Sequence, residues 1–342
     1  MTTTPLSLID FCTVYGDEAP GASIRRSVAF AQRAERLGYG RIWYAEHHNM
    51  PSITSSAPAV LIAHIGAHTE RIRLGSGGVM LPNHSPYVIA EQFGMLAEMY
   101  PGRIDLGLGR APGTDMNTLG RALRRDPNAA DNFPHDVIEL GRYLAGDSPV
   151  PGVQAMPGAG TNVPRYILGS SMFGATLAAR LGLPYAFASH FAPTHLKQAT
   201  RYYRENFEPS EELSEPYLIA AVNVTASDDE SDAHRQNELV RRRRLARMVS
   251  RGEGRITEEQ LDQLVDSPQG QQVLDMLRYT AVGTAPQIRE YLEEFRDSVG
   301  ADELMISAQG PTAKEADRSV EILADAWGLE PNGVAAGDPR ER

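Results

Sequence analysis

A (β/α)8 TIM barrel is the fold class predicted by this sequence, and three observations predict it. Eight short apolar or β-branched runs alternate with longer segments of helical period, the pattern of repeated βα units. The first of these runs leads into Asp10-Phe11-Cys12-Thr13, not into the G-x-G-x-x-G turn of a doubly wound dinucleotide fold. The chain has 342 residues, a length that one α/β barrel absorbs as a single domain when some of its loops are long.

The strands read from the chain are Leu6–Phe11, Arg41–Ala45, Ile72–Val79, Ile104–Leu108, Arg165–Leu168, Tyr185–Ala188, Tyr217–Val224 and Glu303–Ser307. Helical period falls near 21–38, 56–68, 86–99, 134–145, 172–181, 194–206, 228–250, 285–299 and 313–327. Ser85-Pro86 marks a helix start, an N-cap followed by proline at the first helical position. Leu37-Gly38 and Leu181-Gly182 mark helix ends, with glycine free to adopt the left-handed conformation that closes a helix. Residues 109–133 and 146–164 read as long loops rich in Gly, Pro, Asn and Ala. The stretch 251–280 mixes glycine and polar residues with a short helical pattern and reads as a candidate lid. A single barrel domain over 1–329 and a flexible tail over 330–342 complete the expected organisation.

Composition excludes several classes. The net charge is −11, from 33 basic and 44 acidic residues, which argues against nucleic acid as a partner. Cys12 is the only cysteine, so neither a disulfide framework nor a thiolate metal cluster is available. No apolar stretch reaches the roughly 18 residues of a membrane span, and no basic-then-apolar leader opens the chain. A cytoplasmic protein with no membrane partner is expected.

In a barrel of this kind chemistry sits at the C-terminal ends of the strands. Strand 2 runs into Glu46-His47-His48, where a histidine with an orienting partner could do acid–base work. Glu46 or a backbone carbonyl is the expected partner of His47, and His48 is the alternative structural residue. Strand 3 carries Gly77-Gly78, which suits either a close backbone approach to a planar ligand or a kink for barrel closure. Strand 4 leads to Arg110, and strand 5 to Ser170-Ser171 at a helix start. Together these could hold a phosphate, through a planar guanidinium and free backbone N–H groups. His64 and His68 have metal-ligand spacing but lack the H-E-x-x-H glutamate, so no metal is expected. The run Arg241–Arg244 reads as a solvated helix face or a dimer contact.

Taken together, AEHHN at 45–49, LGSGGVMLPNHSP at 74–86, RIDLGLGRAPGTD at 103–115, LGSSMFGATLAARLGLPYAFASHF at 168–191 and VGTAPQI at 282–288 resemble the bacterial luciferase-like flavin monooxygenases. The resemblance runs over about 320 residues and is nearest the subgroup without large insertions, which includes tailoring oxygenases of secondary metabolism. It implies a luciferase-like barrel that takes reduced FMN from a separate flavin reductase and uses dioxygen as co-substrate to oxygenate a small organic molecule. By the same resemblance His47 matches a catalytic histidine, Gly77-Gly78 a cis peptide against the flavin ring, and Arg110 and Ser171, with Ser170 beside it, ligands of the flavin phosphate. It also implies a symmetric homodimer formed through the helices Ala57–His68 and Tyr87–Met99. One departure stands out. Luciferase has a reactive cysteine just before the matching arginine and this chain has Gly109, so light emission is not implied.

Two rivals differ in what they bind. A hydride-transfer enzyme of the same superfamily would use a deazaflavin coenzyme. The bias of two lysines against 31 arginines (33 − 2), typical of a GC-rich genome, keeps that reading open. A non-catalytic flavin-binding protein would hold oxidised flavin tightly and show no turnover.

Overall fold

The strands are buried on both faces, one lining the barrel interior and the other packed under helices. The computed structural model describes residues 4–126, 128–249, 256–331 and 337–341. Its strands are β1 (Leu6–Asp10), β2 (Arg41–Tyr44), β3 (Arg73–Met80), β4 (Ile104–Gly109), β5 (Arg165–Gly169), β6 (Tyr185–Phe187), β7 (Leu218–Ala226), β8 (Thr280–Gly283) and β9 (Glu303–Ala308). All pairings are parallel, in the order β6-β5-β4-β3-β2-β1-β9-β7, and a β6–β7 pairing closes an eight-stranded barrel. Each of these eight strands was expected from sequence. The ninth, β8, was not; it pairs only with the upper half of β7, over Asn223–Ala226.

Around the barrel run α1 (Pro20–Leu37), α2 (Pro58–Gly66), α3 (Pro86–Met99), α4 (Ala129–Ala145), α5 (Met172–Leu181), α6 (Leu196–Glu205), α7 (Glu230–Val249), α8 (Glu258–Val265), α9 (Pro268–Asp275), α10 (Ala285–Val299) and α11 (Ala313–Trp327). Alternate strand residues such as Leu8, Ile42, Leu74, Leu106, Ile167, Val222 and Ile306 face outward and bury against these helices. The inward set, including Ile9, Trp43, Tyr166, Ile219 and Met305, forms a separate apolar layer inside the barrel.

Beneath that layer the barrel bottom is ionic. Arg41 is fully buried, with Nη1 2.8 Å from Asp105 Oδ2 and Nε 2.9 Å from Glu303 Oε1. Arg73 reaches the other oxygen of Asp105 at 2.5 Å, and the Tyr217 hydroxyl donates to Glu303 at 2.5 Å. Burial alone would push the Asp105 carboxyl up, but Arg73 and Arg41 hold it below its ordinary range.

Two expectations need correction. Residues 251–255 lie outside the described residues, but the rest of the 251–280 stretch is not a loop. It forms α8 and α9, capped by Thr257 and Ser267, whose Leu261 and Leu274 pack against Leu245 of α7. The end of the chain is not frayed over residues 337–341 either. Asp338 is buried, and Arg340 donates to the Asn162 carbonyl at 2.7 Å.

Candidate active site

The C-terminal ends of the strands carry two clusters of polar residues and one buried tie. The tie is Glu46, one residue beyond the Ala45 that follows β2. Its carboxylate is fully buried and accepts from His48 Nε2 at 2.8 Å, from His84 Nε2 at 2.9 and 3.0 Å, from the Met80 backbone N–H at 2.9 Å and from Asn83 at 3.3 Å. Burial raises its pKa, but the hydrogen bonds from His48 and His84 outweigh burial and hold it down at about 2. The expectation that Glu46 orients His47 is therefore corrected: its oxygens are spent on His48 and His84.

His47 is left facing the mouth. Its backbone N–H donates to Ser55 at 3.0 Å, while its Nδ1 has no partner among the described residues. The ring lies along Phe11, centroids 5.9 Å apart and 29° between planes. Burial pushes its pKa down, the Gly113 carbonyl and Glu46 pull it back up, and the net direction is downward. The ring is accordingly held neutral at physiological pH. Across Phe11, at 6.1 Å, lies His190, just beyond β6. It is 6% exposed, neither ring nitrogen has a partner among the described residues, and burial first and the Arg244 charge second drive its pKa to about 3.

The second cluster follows β4 and β5. Arg110 places its guanidinium 4.0 Å from the centroid of the Phe173 ring in the first turn of α5. Arg125 donates to the Arg110 carbonyl at 3.4 Å and to Asn83 at 2.9 Å. Its pKa is lowered by burial and by the Arg110 charge. No ion pair joins either arginine to a carboxylate among the described residues. Ser171 is the N-cap of α5, extended at φ −149°, and its hydroxyl does not cap the helix. Ser170 precedes it. Two cations without carboxylates, two uncommitted hydroxyls and a helix N-terminus fit a phosphate.

Gly77-Gly78 is a cis peptide, as the resemblance implied, within a register shift of β3 between Ser76 and Val79. A Cβ on Gly78 would meet the Gly107 carbonyl oxygen at 2.7 Å, and one on Gly77 the Trp43 Cβ at 3.0 Å. The neighbouring strand therefore already requires glycine at position 78 and leaves little room for a side chain at position 77.

Cys12 is buried below the mouth, at φ 48°, with its N–H on the Asp10 carboxylate at 2.7 Å. Burial and the Asp10 charge push its thiol far above the ordinary range. His64 and His68 sit together on and just beyond α2, and no group of metal-ligating side chains occurs among the described residues.

Sequence reasoning missed Arg125 and Arg244. Arg125 lies in a loop rich in charged and turn residues, where nothing singles it out. The run Arg241–Arg244 reads from sequence as a solvated face or a dimer contact, yet successive residues on a helix point about 100° apart. Arg242 pairs with Glu258 and Asp262 of α8 at 2.8 and 2.6 Å, while the charge of Arg244 is felt by both His47 and His190.

An eight-stranded parallel barrel with its polar clusters at the strand C-termini is an enzyme architecture. The chain belongs to the luciferase-like monooxygenase family, whose model matches residues 7–303. It is 43% identical over 312 residues to a luciferase-like monooxygenase of Escherichia coli (strain K12), covering 90% of this chain and 92% of that one. It is 30% identical to the N-acetyl-S-alkylcysteine monooxygenase of Bacillus subtilis (strain 168), over 94% of this chain and 97% of the relative. The solved structure of apo-MsnO8 superposes with a TM-score of 0.85 at 33% identity, covering 96% of this chain and 99% of that one.

The Glu46 tie is testable by pH. Its folded-state pKa of about 2 lies below the ordinary 4.5, so its stabilising effect is complete above about pH 4.5 and disappears as pH falls toward 2. Glu46→Gln should therefore unfold more easily than the parent in urea at pH 7. The gap should narrow steadily between pH 4.5 and pH 2; a gap independent of pH would show that the carboxylate charge is not what binds the two histidines.

Proposed function

We propose that the chain is a flavin-dependent monooxygenase that accepts reduced FMN from a separate reductase and uses dioxygen to oxygenate a small organic substrate in the cytoplasm. The observation that carries this reading is Arg110, stacked on Phe173 at the N-terminus of α5 with no carboxylate partner among the described residues. A dianionic phosphate completes that cluster, with Arg110 as a planar fork, Arg125 behind it, and Ser170 and Ser171 as hydroxyl donors. Reduced FMN, when bound, supplies the two electrons that activate dioxygen.

The chain's own residues supply position and proton control. His47, kept neutral by burial and with Nδ1 unengaged, can take or return a proton at that atom as oxygen is reduced. Phe11 holds the ring in place from one side. The tie at Glu46 fixes the backbone that carries His47 without drawing on its ring. The relatives' printed activities, monooxygenation in each named case, support the same reading.

We also infer a symmetric homodimer formed through α2 and α3. A groove of about 410 Å³ lies between them, walled by Val60, Ala63, Met95 and Met99. Val60, Met95 and Met99 are 71%, 53% and 51% exposed, an apolar face that a second copy would cover. Light scattering should give twice the chain mass, and Met95→Glu with Met99→Glu should halve it. A concentration-independent monomer overturns the inference.

Two substitutions test the site. Arg110→Ala should weaken FMN binding by about 10–100-fold while riboflavin, which lacks the phosphate, is almost unaffected. Equal losses for both flavins would remove the phosphate from Arg110. His47→Ala should cut product formation by about 10²–10⁴ in rate and leave flavin affinity within a few-fold. His48→Ala should act mainly on stability, through Glu46; the reverse pattern would transfer the proton role to His48.

A further inference from the structure

Resting on the reading of the barrel mouth as an oxygenase site, we infer that Arg244 anchors the second substrate and that this substrate is a small carboxylate with an apolar body. The guanidinium belongs to α7, whose next residue, Leu245, is buried against Leu261 and Leu274 of α8 and α9. That packing fixes the helix's rotation and leaves Arg244 half-buried, with its Nε on the inner side. Its Nε is closed off from water, and among the described residues it has no hydrogen-bond partner and no carboxylate pairs with it. Two of its neighbours in the run are matched differently, Arg241 with Glu238 at 3.7 Å and Arg242 with Glu258 and Asp262. Burial is the one influence found to act on Arg244, and it lowers the pKa. A cation partly withdrawn from water without a counter-charge is unfavourable, and an anionic ligand offsets that cost.

The groups facing Arg244 cannot supply the anion. His47 and His190 both feel its positive charge, and both are held neutral. Glu46 is committed to His48 and His84. What they offer instead is lining. The two nitrogens of His190 and Nδ1 of His47 are unpartnered polar atoms, and Phe11 and Phe191 flank His190 with apolar rings. The backbone of His190 is held by Asn223, which donates to its carbonyl at 2.7 Å and is itself held by Gln309 at 3.2 Å. A bidentate carboxylate on Arg244 would leave the apolar remainder of a ligand lying on the aromatic rings, within reach of His47.

The cofactor's phosphate is not the missing anion. Arg125 is tied to Arg110 beyond β4 by its 3.4 Å hydrogen bond to the Arg110 carbonyl, and Arg110 lies on Phe173 of α5, whereas Arg244 stands on α7. The mouth thus holds two separate cationic points, one for each ligand.

The test uses the full chain without cofactor and two probes of the same shape, 4-phenylbutyrate and its neutral amide 4-phenylbutanamide, titrated by calorimetry. The acid should bind at least about tenfold more tightly than the amide. Arg244→Gln should abolish that preference and Arg244→Lys should keep part of it, with both variants melting near the parent and binding FMN within a few-fold of it. No preference for the acid in the parent, or a preference that survives in Arg244→Gln, overturns the inference. Loss of FMN binding in Arg244→Gln also overturns it, by making the residue a cofactor ligand. If the acid preference stands and the parent binds no FMN, the cofactor reading fails while the anion site remains.

Discussion

The Arg41 guanidinium, closed off between Asp105 and Glu303, is the contact on which the barrel depends. It joins β2, β4 and β9 from inside, where no water can substitute for a lost partner. With Arg73 the bottom holds two cations and two carboxylates, and it is therefore neutral as a unit. A buried charge stripped of its partner costs several kcal/mol, on the order of 3–5. The four groups consequently constrain one another, and with them the register of the strands they stand on.

That balanced floor sets off the mouth above it. At the bottom every charge has an opposite one in contact. At the top, Arg110, Arg125 and Arg244 have none among the described residues, and His47 and His190 carry bare ring nitrogens. The contrast between the two ends is what the proposed function accounts for, with anionic ligands as the counter-charges at the open end. Glu46 marks the border between the two regimes: it is fully paired itself, and the next residue is His47, whose Nδ1 has no partner among the described residues.

The pattern of strands was legible because burial on both faces of a parallel barrel produces short apolar runs that helices of 3.6 period cannot mimic. β8 escaped because it is four residues long and pairs on one side only, so it lacks the flanking apolar run. α4 begins at Ala129, five residues before the proline taken as its boundary; Pro134 is tolerated inside the helix. From sequence, α8 and α9 read only as a short helical pattern within a candidate lid, although Thr257-x-x-Gln260 and Ser267-Pro268 are both helix-start signals. The strand-end residues of the site could be named from sequence because the fold fixes where strands end. Their partners could not. His84 is 38 residues from Glu46, and the inward turn of Arg244 is set by how Leu245 packs.

Cys12 has a practical consequence. Under the proposed function the protein would meet reduced flavin and oxygen, and with them peroxide, which attacks thiolates. The one thiol here is buried against a carboxylate that suppresses its ionisation, so it is a poor target for oxidants and alkylating reagents alike. The native chain is in effect a cysteine-free background. A single cysteine introduced on the outer face of α8 or α9 becomes the only reactive thiol, and a spin label or fluorophore attached there reports on those helices without any other residue having to be changed first.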